Sequence, residues 1–526
     1  MELLVNWLIG FLIYNIIYGA STWQLYKKAG RKSWEAFVPF YNFWIGLGLI
    51  QRPKWWIILF FTPIVAPIMW WVYWVDFGRS FGKRTWTDAI LMIITVGLYA
   101  FYLNYIEKPD YEGPEERKGT FIAALLFAIV LATLVHTWFI QPMVVPTGSM
   151  ENTIKIGDAL FVDKMSYGVR VPFTPIGLPF SEFINRKAYV DKARLPYMRL
   201  PGWSDLKSND IVVFSYPADS IFDAIDRKDA YVKRLVGMPG DSVQFKEGEL
   251  YVNGKLFVPK KDAIVQHRYK VTTSNVFSQE LLYQEYGLLP DVDYGFWPNG
   301  YMETSSKEGE QYNYLFKALT PEMAEKFKSN PQIKIERFYT PEEVKESQHF
   351  HNSSKLDSAN SFPVDRNWNQ DFYGPYYVPK KGDVVKLDKS NIELYKRIIR
   401  NYEHHDLKME GDKIFIDGKE ANQYTIEQDY FFMSGDNRNQ SLDSRYFGPV
   451  PEDHIIGRPI LVWANMNGMF EPAPKKFIWS RFMTSINNDN PDKKSYLVYV
   501  LIGLGAFFAW DYYRIKKKKQ KEKEGN

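Results

Sequence analysis

The chain contains no cysteine. That excludes disulfides, thiolate zinc sites and a cysteine nucleophile. Histidine is scarce, with 7 in 526 residues. None lies in a Gly-x-Ser-x-Gly elbow or a His-Glu-x-x-His helix pattern, so neither a familiar serine triad nor a zinc-protease helix is visible. Walker-type and dinucleotide-binding glycine loops are also missing, and no cofactor or metal is expected. Net charge is only +4, and the tail from Arg514 to Asn526 holds seven basic and two acidic residues. The rest of the chain is therefore close to neutral, which argues against a nucleic-acid footprint over a whole domain. A basic tail directly after an apolar stretch reads instead as a cytoplasmic anchor.

Aromatic residues are abundant, at 17% with 17 Trp, 35 Tyr and 37 Phe. Five apolar stretches, 3–20, 55–73, 89–106, 121–140 and 496–513, each approach the roughly 20 residues needed to cross a bilayer core. Segment 34–50 is aromatic but shorter and broken by Pro39, and is expected to be interfacial or re-entrant. No basic residue precedes the first stretch and no small-x-small cleavage site follows it, so it is expected to anchor the chain rather than be removed. Lys27, Lys28, Arg31, Lys32, Arg52, Lys54, Lys108, Arg117, Lys118 and the lysine tail assign the cytoplasmic ends and put 141–494 on the other side. Arg79, Lys83, Arg84, Lys493 and Lys494 run against that scheme.

The long region between the fourth and fifth stretches has a strand texture. Ala159-Leu160-Phe161-Val162, Ile211-Val212-Val213-Phe214, 231–236 and Ser242-Val243-Gln244-Phe245 are short apolar or alternating runs bounded by turn residues. Asn253-Gly254 is a strong hairpin signal. Only 320–328 and 340–347, each opened by Thr-Pro, look helical. A weak internal echo follows. Asn209-Asp210-Ile211-Val212-Val213, Tyr231-Val232-Lys233-Arg234 and Val252-Asn253-Gly254-Lys255 are matched by Gly382-Asp383-Val384-Val385, Tyr395-Lys396-Arg397 and Ile416-Asp417-Gly418-Lys419. Either a duplicated β unit or the shared grammar of strands and turns accounts for it.

Ser149 follows Gly148 directly after an apolar stretch, and Lys233 lies between Val232 and Leu235-Val236. A serine needs a base, and an amine buried among apolar groups loses part of its ordinary pKa of about 10.4 and becomes one. Ser/Lys pairs of this kind exist. From residue types alone, a turn serine and a solvated strand lysine account for the same pattern.

Longer motifs decide between them. Met143-Val144-Val145-Pro146-Thr147-Gly148-Ser149-Met150, with Ile156-Gly157-Asp158 after it, resembles the nucleophile box of bacterial type I signal peptidases. The run 209–217 resembles that family's next strand box, and Tyr231-Val232-Lys233-Arg234-Leu235-Val236-Gly237-Met238-Pro239-Gly240-Asp241 its lysine box. Gly435-Asp436-Asn437-Arg438-Asn439-Gln440-Ser441-Leu442-Asp443-Ser444-Arg445 is similar to its last box. The four occur in family order and cover about a tenth of the chain.

The resemblance implies a membrane-bound serine endopeptidase that removes signal peptides from exported preproteins. Ser149 is then the nucleophile and Lys233 the general base. Ser441 hydrogen-bonds the lysine, Thr147 and the Ser149 N–H form the oxyanion hole, and Asp443 with Arg445 forms a structural ion pair. Met143, Val145, Ile154, Tyr231 and Val232 line two shallow pockets for small side chains, although ordinary core packing also suits them. Segment 167–180 either dips into the bilayer surface or packs on the β core. Lys396 copies the lysine box locally but lacks the Gly-x-Pro-Gly-Asp that follows Lys233.

The expected fold is a multi-helix membrane anchor with a mainly β, signal-peptidase-like catalytic domain and a large β or irregular insertion. The expected order is a multi-span module 1–118, a helix 119–141, a catalytic β core 142–259, the insertion 260–379, a second β unit with the final box 380–475, a linker 476–494, a helix 495–513 and a tail 514–526. Expected partners are signal-peptide-bearing preproteins, membrane lipid and the secretion translocon, with no nucleic acid. The expected location is the bacterial cytoplasmic membrane, multi-pass, with the catalytic domain outside. The alternative is a catalytically silent membrane-tethered β scaffold or adaptor of the same ancestry.

Overall fold

The computed structural model describes residues 2–114, 121–180, 187–219, 221, 224–286, 288, 302–344, 347–352, 355–465, 478–486 and 495–524. Arg117, Lys118, Lys493, Lys494 and most of the 476–494 linker lie outside the described residues. The chain divides into two units. One comprises Met1–Ile140, Gly168–Pro201 and Ser220–Lys228; the other comprises Gln141–Tyr167, Gly202–Asp219 and Asp229–Asn526.

The first unit is helical. Among the described residues one helix, Val5–Lys28, is long and apolar enough to cross a membrane. The stretch expected at 55–73 is broken into Trp56–Leu59 and Ala66–Arg79. Pro63 lies in the gap, where it lacks an amide donor and restricts Thr62 before it. The stretch at 89–106 is bent by 118° between Trp86–Ile94 and Tyr99–Glu107. The bend contains Val96 and Gly97 at positive φ, and a Cβ on Gly97 would meet the Trp74 ring at 2.0 Å. Phe121–Trp138 is a helix of 18 residues. Segment 34–50 forms a short turn, Ser33–Ala36, and a helix, Tyr41–Leu49, with Phe43, Ile45, Leu47 and Leu49 buried. Aromatic rings of Tyr18, Tyr26, Phe43, Tyr73, Trp74 and Phe77 fill this unit's core. The Tyr18 and Tyr26 hydroxyls lie 2.8 Å apart, so these buried polar ends have partners. Segment Gly168–Pro201 belongs to this unit: Ile64 N donates to Pro175 O at 2.8 Å and Trp7 Nε1 to Arg194 O at 3.0 Å.

The second unit is mainly β. Its largest sheet contains β1 (Ile140–Val144), β2 (Asp158–Asp163), β3 (Ile211–Ser215), β4 (Ala230–Gly237), β5 (Tyr430–Ser434), β6 (Val450–Pro451), β7 (Ile455–Asn465) and β8 (Thr484–Ser485). The spatial order is β1–β2–β7–β3–β4–β5–β6, with β8 also on β7. Neighbours from β2 through β6 pair antiparallel. Alternate side chains on a strand point to opposite faces. Accordingly Ile211 and Val213 of β3 join one core with Val145, Ile154, Leu160 and Val162, while Val212 and Phe214 join another with Leu235, Phe431 and Met433. Both faces are covered, which is why these strands read as unbroken apolar runs.

The expected hairpin at Asn253-Gly254 forms, and so does one at its counterpart in the echo. Asn253 and Gly254 connect Glu249–Val252 to Lys255–Leu256, and Asp417 and Gly418 connect Lys413–Ile416 to Lys419–Glu420. All four turn residues have positive φ, as a twisted two-residue hairpin requires. The echo fails at Lys396. Tyr395-Lys396-Arg397 is not a strand but part of the helix Ile392–Arg397. The expected insertion contains an antiparallel sheet in the order 333–337, 267–273, 311–319, 302–308. Helix Pro321–Lys328 forms with Thr320 accepting from Met323 N at 3.2 Å. The helix expected at 340–347 does not: Pro341–Val344 is a turn and Ser347–Asn352 a strand. A helix at Gln279–Tyr286, not expected, forms instead in this region.

Candidate active site

The turn Gly148–Met150 presents Ser149, which is buried along with its neighbours. Lys233 projects from β4, in register with Val212 of β3, and is buried. Lys233 Nζ lies 2.7 Å from Ser149 Oγ and donates to Val232 O at 3.0 Å. It also sits over the Tyr231 ring, 5.2 Å from its centroid. Burial lowers the Lys233 pKa to about 8, against the opposing pull of the Asp443 and Asp436 charges. An amine tuned towards neutrality at this distance can accept the hydroxyl proton of a serine.

Two buried ion pairs fix the loops around this contact. Arg234, adjacent to Lys233, grips Asp436 through Nε–Oδ1 and Nη2–Oδ2, both at 2.8 Å, and donates to Asn209 O at 2.8 Å. Arg445 grips Asp443 through Nε–Oδ1 at 2.9 Å and Nη2–Oδ2 at 2.8 Å, and donates to Gln370 O at 2.9 Å. Burial would raise both carboxyl pKa values, but the facing guanidinium outweighs it in each case and holds Asp436 and Asp443 below the ordinary range. Such two-pronged pairing supplies direction as well as charge. Asp443 also accepts from Gly435 N at 3.1 Å.

The Gly435–Arg445 loop also holds the serine turn by its backbone. Asn437 N donates to Ser149 O at 3.1 Å and Asn437 Nδ2 to Gly148 O at 3.0 Å. Gly435 is needed for this approach, since a Cβ there would lie 2.2 Å from Ser441 Oγ and 2.5 Å from Ser149 O. Ser441 is buried beside that glycine, yet its Oγ has no hydrogen-bond partner. The expected Ser441–Lys233 hydrogen bond is therefore not formed; the amine faces Ser149 and Val232 instead. Thr147 is extended, half-buried, and does not cap the turn.

Of the five expected pocket residues, Val145 and Ile154 are buried in one cluster with Met143 and Val232 packed against it. Tyr231 joins the other face, stacking on Tyr216 at 4.5 Å between centroids. Adjacent strand residues point to opposite faces, so Tyr231 and Val232 face different cores. Lys396 is away from such company: it is half-exposed and pairs with Glu393 at 3.2 Å.

Sequence reasoning missed Gln266. It is fully buried and its Nε2 donates to Glu151 O at 2.7 Å. Its backbone N donates to Asp436 O at 2.9 Å, and its O accepts from Arg438 N at 3.2 Å. Ile264 N donates to Thr153 Oγ1 at 3.0 Å, and Thr153 Oγ1 donates to Asp436 Oδ2 at 2.8 Å. The segment around 264–268 is thus knitted into the serine and last boxes, although an insertion was expected from 260 onward. A buried amide in a polar sequence carries no periodic signal by which to find it.

Comparison with known proteins agrees with this architecture. The family model for signal peptidase, peptidase S26, matches residues 118–291 and 377–464. The chain is 22% identical over 414 residues to Signal peptidase I of Buchnera aphidicola subsp. Acyrthosiphon pisum, covering 78% of this chain and 92% of the relative. Against Signal peptidase I of Buchnera aphidicola subsp. Schizaphis graminum, identity is 25% over 342 residues, 65% and 73% of the two chains. Signal peptidase I of Pseudomonas aeruginosa is 31% identical over 142 residues, 27% of this chain and 38% of that one. The chain belongs to the signal peptidase family, peptidase S26. Its residues 34–114 separately match a family of unknown function, DUF5684. The signal peptidase match runs through 291, so it includes Gln266 and the first part of the expected insertion.

Proposed function

We propose that the protein is a membrane-bound serine endopeptidase that cleaves signal peptides from exported preproteins with Ser149 as nucleophile and Lys233 as general base. The observation that carries this reading is the buried 2.7 Å approach of Lys233 Nζ to Ser149 Oγ. Family membership supports the reaction class.

In this reading the neutral Lys233 amine takes the Ser149 proton as Oγ attacks the scissile carbonyl carbon. The resulting oxyanion is held by the Ser149 N–H and the Thr147 hydroxyl. Collapse breaks the C–N bond, and the Lys233 ammonium returns its proton to the departing amine. Water, deprotonated by the same amine, then hydrolyses the acyl-enzyme. Asp443 with Arg445 and Asp436 with Arg234 keep the loops rigid, and Ser441 packs beside the dyad on Gly435. Met143, Val145, Ile154 and Val232 form the apolar wall for small substrate side chains, with Tyr231 contributing through its contact with the lysine.

The N-terminal helices and the C-terminal helix Leu497–Glu524 act as membrane anchors in this reading, with the β unit on the extracytoplasmic side and the helical module available to the translocon. Val5–Lys28 supports the first anchor, and the lysine-rich end of the last helix supports a cytoplasmic tail. The test is processing of a preprotein in lipid vesicles by the full chain and by Ser149→Ala. Cleavage after a small-x-small motif by the wild type alone is expected. Equal cleavage by a clean preparation of the variant overturns the assignment.

A further inference from the structure

The family match ends at residue 464, yet the chain continues into a described segment, 478–486, that returns to the base of the serine loop. Arg481, in the turn Trp479–Arg481, is buried against Asp158. Its Nε donates to Asp158 Oδ1 at 3.3 Å and Oδ2 at 3.1 Å, its Nη2 donates to Oδ2, and Nη2 reaches Thr153 O at 3.5 Å. Asp158 is fully buried, and its carboxylate also accepts from Asn465 Nδ2 at 2.8 Å and Lys155 N at 2.9 Å.

Asp158 is the joint between β2 and the loop that begins at Ser149. Its backbone O accepts from Val145 N at 3.0 Å, while Gly157 N donates to Val145 O at 2.9 Å. The Gly157-Asp158 backbone thus joins the strands leading into and out of the serine turn. The Asp158 carboxylate beside it ties that junction to Lys155 N, Asn465 and Arg481, its only salt-bridging cation among the described residues coming from outside the family-matched segment. A carboxylate this deep without its guanidinium would draw in water or shift the loop, because an unpaired buried charge is strongly unfavourable.

The clamp is itself anchored. Strand β8 pairs Thr484 with Val462 and Ser485 with Leu461 of β7, and Ile486 N donates to Ile460 O at 3.0 Å. Ser495 bridges to Thr484, and Tyr496 N donates to Met483 O at 2.7 Å where helix Leu497–Glu524 begins. A continuous hydrogen-bonded path therefore runs from the last helix through β8 to Arg481 and Asp158.

We infer that Arg481 is a positioning residue for the proposed Ser149–Lys233 pair, and that segment 478–486 is a C-terminal clamp fixing the serine loop from below. This rests on the dyad reading for its kinetic consequence, but not for its structural one. Arg481→Met keeps bulk and removes the charge. We expect kcat to fall about 10- to 100-fold with KM little changed, as for an ångström-scale displacement of a reacting group. The low-pH limb of kcat/KM should move to higher pH as water enters and the lysine is less desolvated. Arg481→Lys should recover part of the loss. The pair Arg481→Met with Asp158→Asn, which removes the orphan charge as well, should recover more than Arg481→Met alone.

Hydrogen exchange on the same full-length proteins separates this from failure of the dyad reading. Faster exchange confined to 145–158, with β3 and β4 unchanged, is expected even if no preprotein is cleaved. Wild-type kcat and an unmoved pH limb in Arg481→Met overturn the inference. So does an even loss of protection across the whole sheet in both Arg481→Met and Arg481→Lys, which makes Arg481 an ordinary stability residue.

Discussion

Two short segments of nearly the same sequence meet opposite fates. Tyr231-Val232-Lys233-Arg234 lies in a strand flanked on both sides, and its lysine is buried against a serine. Tyr395-Lys396-Arg397 lies in a short helix, and its lysine is half in water beside a glutamate. The arginines differ in the same way. Arg234 is locked on Asp436, whereas Arg397 donates to Phe447 O at 2.5 Å. Local sequence offered each lysine the same opportunity. What separates them is a long-range partner: Ser149 stands 84 positions from Lys233, and Asp436 stands 202 from Arg234. Burial without a carboxylate contact lowers an amine's pKa, and solvent contact removes that effect.

The sharpest way to break this contrast is to remove each amine. Lys233→Met should cut preprotein cleavage by a factor of roughly 10³ or more, as loss of a base from a cooperating pair does, while Lys396→Met should stay within about twofold of wild type. Steady-state cleavage assays on both variants decide it, and the reverse pattern would transfer the role to Lys396. A smaller loss tests the hydroxyl proposed to share the oxyanion with the Ser149 amide. Thr147→Val should lower kcat about 10²–10³-fold, and Thr147→Ser should keep most of the activity.

The pH profile comes next. If Lys233 acts neutral, kcat/KM should rise about tenfold per pH unit below pH 8 and level off above it, following the amine's lowered value of about 8. A limb near 6.5 would point to a histidine instead.

Stability offers the gentlest test. Folding carries the Lys233 pKa from an ordinary 10.5 down to about 8. Between those values the unfolded chain holds the proton and the folded one does not, so the lysine's contribution to stability improves as pH rises through that window. Below pH 8 the whole penalty is present, on the order of 3 kcal/mol for the shift. Lys233→Met should therefore raise the unfolding midpoint at pH 7 in detergent, and that gain should shrink towards pH 10. Lys396→Met should change stability by less than about 0.5 kcal/mol at either pH.

Much of the site was legible because its chemistry is local. Ser149 and Lys233 each sit in a turn or strand that neighbouring residues specify, and the Asn253-Gly254 and Asp417-Gly418 turns follow directly from backbone energetics. The bend at Val96-Gly97 and the break at Pro63 were less visible, because hydropathy averages over a window and registers apolar content rather than continuity. The helix at Ile392–Arg397 defeated analogy with the lysine box, since six residues carry too little periodicity to choose between strand and helix.

By itself, then, the sequence singled out Ser149 and Lys233 as candidates and determined the strand and hairpin grammar and membership of the signal peptidase family through motifs in fixed order. Tertiary structure alone decided how deeply Lys233 is buried and how closely it approaches Ser149, that Ser441 faces Gly435 without a hydrogen bond to the amine, and that Gln266 and Arg481 contact the serine loop. The reason is physical: turns and strands are governed by neighbours a few residues away, whereas burial, pairing and pKa depend on groups brought together from hundreds of residues apart.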